Sequence, residues 1–175
     1  GVVAESVKRD GYVVLNADNE YCAGISKEVS CNVAYFSMNE NNPVILEHCK
    51  KGGIAAIYEN GFITIKKGDW KFRVQKVVNV PLTFGGRVSF MIQNVLAATL
   101  ATYVYGFATE DIATSLETFI PSAAQTPGRM NIFDFKEYKV MIDFAHNADG
   151  FRGIKEFLST IESTSKIGII TGTGD

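Results

Sequence analysis

Short apolar runs alternate with helical stretches along this chain, and the alternation is interrupted once before it starts again. The interruption is Pro121-Ser122-Ala123-Ala124-Gln125-Thr126-Pro127, two prolines around small and polar residues. Such a stretch can continue neither a helix nor a strand ladder. It predicts two α/β parts: residues 1–121, a linker at 122–128, and a second part from 129 to 175.

In the first part, residues 12–15 form a continuous apolar run that gives way to Asn16-Ala17-Asp18-Asn19. That is the signature of a buried parallel strand feeding a polar loop. A short helix over 20–23 ends at Gly24, and a second strand follows at 32–37. Asn42-Pro43 reads as an N-cap with proline at the first helical position, opening a helix to Lys51 that Gly52-Gly53 ends. Strands at 54–58 and 62–66 flank Asn60-Gly61, a hairpin-turn pair. With 71–77 they predict an antiparallel patch against a mainly parallel sheet. The longest helical pattern, 88–105, presents Phe90, Val95, Ala98, Leu100, Ala101 and Val104 as its apolar face. A further helix, capped by Thr109-Glu110-Asp111, runs to Phe119. Beyond the linker, strands at 131–135 and 139–144, a helix at 149–161 and a strand at 167–171 read as the opening of a βαβ domain.

Hydrophobic residues make up 46% of the chain, charged residues 21%, and the formal net charge is −2. A general nucleic-acid or membrane-surface binder needs a basic field, so both partner classes are excluded. No run is long enough to span a bilayer. Three cysteines without CxxC spacing read as free thiols in a reducing cytosol, which makes the expected location cytoplasmic. Two histidines rule out a histidine-rich metal cage, and no metal ligand is assigned. The chain begins without Met and ends in Gly174-Asp175 just after an apolar run, so it is expected to be part of a longer polypeptide.

Four side chains carry the chemical argument. Asp143 follows Val140-Met141-Ile142, at the carboxyl end of what reads as a buried strand, the edge at which open α/β sheets bind ligands. Its carboxylate suits two ribose hydroxyls, or equally an N-cap for the next helix. His146 lies in the loop entering that helix, where backbone N–H groups favour an anion; the alternative is a solvent-facing loop histidine. Arg129 follows Pro127-Gly128, and its guanidinium fits phosphate or a purine face, or a nearby surface carboxylate. Asn94, in the long helix, offers an amide donor and acceptor to an adenine edge, or is simply an exposed polar position beside a solvent-facing Gln93. Asn16 and Asp18 also end a strand, with turn formation as the competing role. Neither Gly85-Gly86-Arg87 nor Thr171-Gly172-Thr173-Gly174-Asp175 matches a phosphate-cradling GxxxxGK[ST] or a GxGxxG fingerprint. A dinucleotide-binding domain is thereby disfavoured.

Four segments in order resemble the ATP-dependent Mur ligase family, which includes muramyl-peptide ligases and folylpolyglutamate synthases. They are Asn16-Ala17-Asp18-Asn19; residues 80–87 running into Met91-Ile92-Gln93-Asn94-Val95-Leu96-Ala97-Ala98; residues 121–131; and residues 143–150. The resemblance implies the later part of a central ATP-binding domain, with a parallel sheet, an antiparallel patch and helices. The start of a Rossmann-like C-terminal domain would follow. It also implies a ligase that activates a carboxylate as an acyl phosphate with ATP and magnesium, then joins it to an amine. The third segment points to a subgroup that adds arginine to the β-carboxylates of a poly-aspartate backbone. By that likeness Asn94 contacts adenine, Arg129 the nucleotide near the hinge, Asp143 the ribose, and His146 lies near the phosphates. No catalytic residue is assigned, and a homo-oligomer stays open. Two departures stand out. Asn19 occupies a position where the family usually has a second acid, and the family's phosphate loop with its lysine is not found among these residues. This chain alone is therefore expected to bind nucleotide weakly and to turn over negligibly. A non-catalytic, Mur-like interaction segment, or another ligase of the family such as a folylpolyglutamate synthase, are the competing readings.

Overall fold

The computed structural model describes residues 2–170, and these divide into two units, one up to Phe119 and one from Ile120 onward. In chain order the elements are α1 (Val2–Glu5), β1 (Tyr12–Asn16), α2 (Glu20–Gly24), β2 (Asn32–Ser37), α3 (Pro43–Lys50), β3 (Ile54–Glu59), β4 (Phe62–Lys67), β5 (Trp70–Lys76), α4 (Ser89–Tyr105) and α5 (Thr109–Thr118). The second unit has β6 (Asn131–Phe135), β7 (Tyr138–Ile142) and α6 (Ala148–Ser159). The fold is α/β. No helix among the described residues is long and apolar enough to cross a membrane.

The first unit is built on one five-stranded sheet in the order β1-β2-β3-β4-β5. β1, β2 and β3 run parallel, whereas β3, β4 and β5 are antiparallel neighbours. The antiparallel strands thus extend the parallel sheet instead of forming a separate patch against it. The turn from β3 to β4 needs left-handed backbone at both central residues, and Asn60 (φ 50) and Gly61 (φ 82) supply it. Each face of the sheet has its own core. Ala34, Ala56, Ile63 and Ile65 pack with Val95, Leu96 and Leu100 of α4 on one face. Leu15, Tyr35, Ala55 and Ile57 pack with Ile45 and Cys49 of α3 on the other. Burying each of the larger aliphatic side chains contributes about 1.5–3 kcal/mol before entropy is counted.

Two helices differ from the sequence reading. The buried face of α4 is Met91, Ile92, Val95, Leu96, Thr99 and Leu100, while Ala98 and Ala101 are exposed. This helix is apolar nearly all round, so its pattern alone cannot select a face. α5 starts at Thr109 with Ala108 as a cap that makes no side-chain bond. Glu110 and Asp111 remain in its first turn, where the helix dipole favours them. α3 conforms to expectation: the Asn42 side chain accepts from Val44 N–H at 2.9 Å, and Pro43 occupies the first turn.

Glu59, at the end of β3, is 4% exposed and paired to Lys71 of β5. The Lys71 ammonium holds its carboxyl below the usual range. A depressed carboxyl pKa contributes stability that is present above the unfolded value, about 4.3, and is lost as pH falls through the folded one. Urea unfolding followed by the fluorescence of Trp70, the one tryptophan of the sequence, should show this acid loss. Glu59→Gln should flatten the curve below about pH 4.3. An unchanged acid limb in that variant would refute the assignment.

In the second unit β6 and β7 form an antiparallel hairpin with register Phe133↔Val140 and Phe135↔Tyr138. Phe133, Phe135, Tyr138, Val140 and Ile142 share one face and are all exposed. The strand carrying Val140-Met141-Ile142 is therefore not the buried strand expected from its apolar run, because β7 has β6 as its one strand partner among the described residues. Residues 167–170 are not in a strand, and Ile167 and Ile169 are 90% and 97% exposed. An apolar run becomes a strand only when a neighbour pairs with it, and none of the described strands does. The last residue of that expectation, Thr171, lies outside the described residues.

Candidate functional site

Both polar runs singled out in the sequence, 126–130 and 143–150, lie in the second unit. The chain from Ser122 to Gly128 is wound into turns, with Thr126 N–H donating to Ser122 O at 2.8 Å and Arg129 N–H to Thr126 O at 3.1 Å. Gly128 (φ 70) and Met130 (φ 49) both take left-handed backbone, which bends the chain sharply on either side of Arg129. The bend is tied to the end of β7 at two points. Phe144 N–H donates to Gly128 O at 2.8 Å, and Met130 N–H donates to Asp143 Oδ2 at 2.9 Å. Arg129 is thus one residue from a direct bond to Asp143. Its own side chain is exposed and has no ion-pair partner among the described residues. The competing reading of a linker arginine held by a surface carboxylate is not what the structure shows.

Asp143 is half-buried, and one of its oxygens is engaged by Met130. The alternative of an N-cap for the next helix is excluded, because Asn147 does that work: its side chain accepts from Gly150 N–H at 2.8 Å. An Asn three residues before Gly150 is the signal that could have identified the cap in the sequence. His146 is exposed, and its Nδ1 lies 3.0 Å from Phe144 O. With Nδ1–H as the donor to that carbonyl, the neutral ring carries its acceptor on Nε2. The structure therefore brings Arg129, Asp143 and His146 into neighbouring loops of a single unit.

Asn94 belongs to the first unit, on α4, where it is exposed and its amide lies 3.8 Å from Met91 Sδ. Gln93 is the more buried of the pair, the reverse of the expected arrangement.

At the carboxyl edge of β1 and β2 the three polar residues of the first motif have local partners. Asn16 Oδ1 accepts from Asp18 N–H at 2.9 Å, closing an Asx turn, and Asn19 caps α2 by accepting from Cys22 N–H at 3.0 Å. Asp18 accepts from the Ser37 hydroxyl, from Met38 N–H at 2.7 Å and from the Asn42 amide at 3.0 Å. Ser37 is fully buried and Asn42 nearly so. Asp18 therefore ties β1, β2 and the start of α3 together.

Sequence comparison gives the decisive observation. The chain is 46% identical, over all of its 175 residues, to a cyanophycin synthetase from Geminocystis herdmanii. It is Mur-ligase-like and close to cyanophycin synthetase. A UDP-N-acetylmuramate–L-alanine ligase from Acetivibrio thermocellus is 29% identical over 147 residues, covering 81% of this chain and 27% of that ligase. Among solved structures, a murein peptide ligase from Psychrobacter arcticus superimposes with a TM-score of 0.54 at 18% identity. That match covers 95% of this chain and 35% of the other, and it shows the Mur-ligase fold. No protein-family model matches. The chain spans about a fifth of the cyanophycin synthetases it matches.

Proposed function

We propose that this chain is a segment of an ATP-dependent amide-bond-forming ligase, and that its second unit grips the nucleotide. What most supports the reading is the bond from Met130 to Asp143, which docks the backbone next to Arg129, an arginine with no ion-pair partner among the described residues, on a half-buried carboxylate. ATP fits that chemistry. The oxygen of Asp143 that Met130 does not engage is suited to a ribose hydroxyl, and Arg129 is suited to phosphate or a purine face. His146 adds an imidazole suited to phosphate; Asn94, in the first unit, offers an amide suited to an adenine edge. Magnesium, which the ligase likeness implies, would be held together with the phosphates of the nucleotide. Residues 1–121 would then be the later part of a central ATP-binding domain, 122–128 the linker, and 129–175 the start of a C-terminal domain, in a cytoplasmic enzyme.

The substrate reading follows from the cyanophycin synthetase likeness. The β-carboxylate of an aspartate in a poly-aspartate acceptor would attack the γ-phosphorus of ATP, releasing ADP. The α-amine of arginine would then attack the acyl carbon, releasing phosphate and leaving an amide. Such transfers depend on positioning and charge neutralisation. In the ligase polypeptide that carries this chain, arginine should be incorporated into an aspartate-containing acceptor only with ATP, and Asp143→Asn should raise the KM for ATP about tenfold, the size of one lost charge-assisted hydrogen bond. Incorporation of glutamate alone would point to a folylpolyglutamate-type ligase. No ATP-dependent incorporation of any amino acid would favour a non-catalytic, Mur-like interaction segment.

A further inference from the structure

We propose that Asn131 is the positioning residue of this site, the group that fixes the spacing between Arg129 and Asp143. The inference rests on the nucleotide-binding reading above and concerns a side chain to which that reading gives no role. Asn131 opens β6 and is 7% exposed, although it is polar and lies next to a surface loop. Its amide bridges the bend from within. Oδ1 accepts from Gly128 N–H at 2.7 Å, and Nδ2 donates to Thr126 O at 3.0 Å. Those two bonds clamp the residues on the N-terminal side of Arg129. Two further bonds, Phe144 N–H to Gly128 O and Met130 N–H to Asp143 Oδ2, dock the clamped bend on the end of β7.

The arrangement is directional. Asn131 holds the left-handed Gly128 directly and reaches the Arg129 carbonyl at 3.5 Å through Nδ2, while the left-handed Met130 is held from the other side by Asp143. A left-handed non-glycine residue such as Met130 persists only where its surroundings over-determine it. Here those surroundings are the Asn131 clamp on one side and the Asp143 carboxylate on the other. Releasing the clamp should let the bend relax and carry Arg129 away from Asp143. The amide supplies the acceptor for Gly128 and the donor for Thr126 from two separate atoms held in one plane.

The test follows amide exchange and ATP titration by NMR on the whole 175-residue chain. In Asn131→Ala, exchange should accelerate at Gly128, which loses its acceptor, and also at Met130, whose acceptor on Asp143 is untouched by the substitution. ATP affinity should fall about tenfold, and in an Arg129→Ala background the same substitution should add nothing, because groups acting as one unit are not additive. If Asn131→Ala fails to fold, Asn131→Asp, which keeps the acceptor for Gly128 and loses the donor for Thr126, is read by the same two measurements. Unchanged Met130 exchange, or additive effects of the two substitutions on ATP affinity, would overturn the proposal. Wild-type ATP binding that is indifferent to Arg129→Ala would sink the nucleotide reading itself, a failure distinct from either of those.

Discussion

Gly53→Ala is expected to destabilise the first unit by about 3 kcal/mol, the upper range for overpacking a filled site. Gly53 has an ordinary backbone conformation, so the cost comes from space. A methyl group placed there would lie 2.2 Å from His48 Nε2 and 2.4 Å from two ring carbons. The imidazole cannot easily withdraw. It stands edge-on to the Tyr35 ring with centroids 4.9 Å apart, and Gly53 N–H donates to the His48 carbonyl at 3.0 Å. Burial already pushes the His48 pKa down, and its Nε2 is buried without a hydrogen-bond partner among the described residues. The variant's urea midpoint, read by Trp70 fluorescence, should drop sharply, and the double variant His48→Ala/Gly53→Ala should be far less destabilised than the two single costs added together. A midpoint within experimental error of wild type in Gly53→Ala would show that the ring moves freely.

Asp18→Ala should cost about 2–3 kcal/mol by the same measurement. Truncation leaves the Ser37 hydroxyl, the Met38 N–H and the Asn42 amide without their shared acceptor. Ser37 keeps Asn39 O and Asn42 keeps Ala17 O as second acceptors, so the cost is that of one unpaired N–H, about 1–3 kcal/mol, plus the weakening of those two donors' networks. Asn42 also caps α3, so disturbing its amide loosens a helix as well as a strand end. Asp18→Asn, which preserves one acceptor, should lose less. If Asp18→Ala were as stable as wild type, the carboxylate would be free for a ligand instead of serving as a brace.

These residues show why part of the molecule was legible before any coordinates. The Asn42-Pro43 cap and the Asn60-Gly61 turn are local instructions, written in backbone preferences that tertiary packing rarely overrides. The buried face of α4 is a tertiary choice, invisible in a helix that is apolar on most sides. The same division runs through the candidate site. Arg129 and Asp143 stood out because their side chains suit a nucleotide. Asn131 did not, because an asparagine at the start of a strand carries no sign of the two backbone partners that make it matter. Asn147, and not Asp143, is the helix cap, a role its place directly before the helix already signals. Asn16, Asp18 and Asn19, suggestive by their place at a strand end, are each occupied with turn, brace and cap.

The two bonds that dock the 126–130 bend on β7 have one more consequence. Arg129 and Asp143 belong to the same small body, so the gap between them is set by hydrogen bonds within a stretch of fewer than twenty residues. The backbone at both positions is thus carried together, like the jaws of a caliper mounted on one frame.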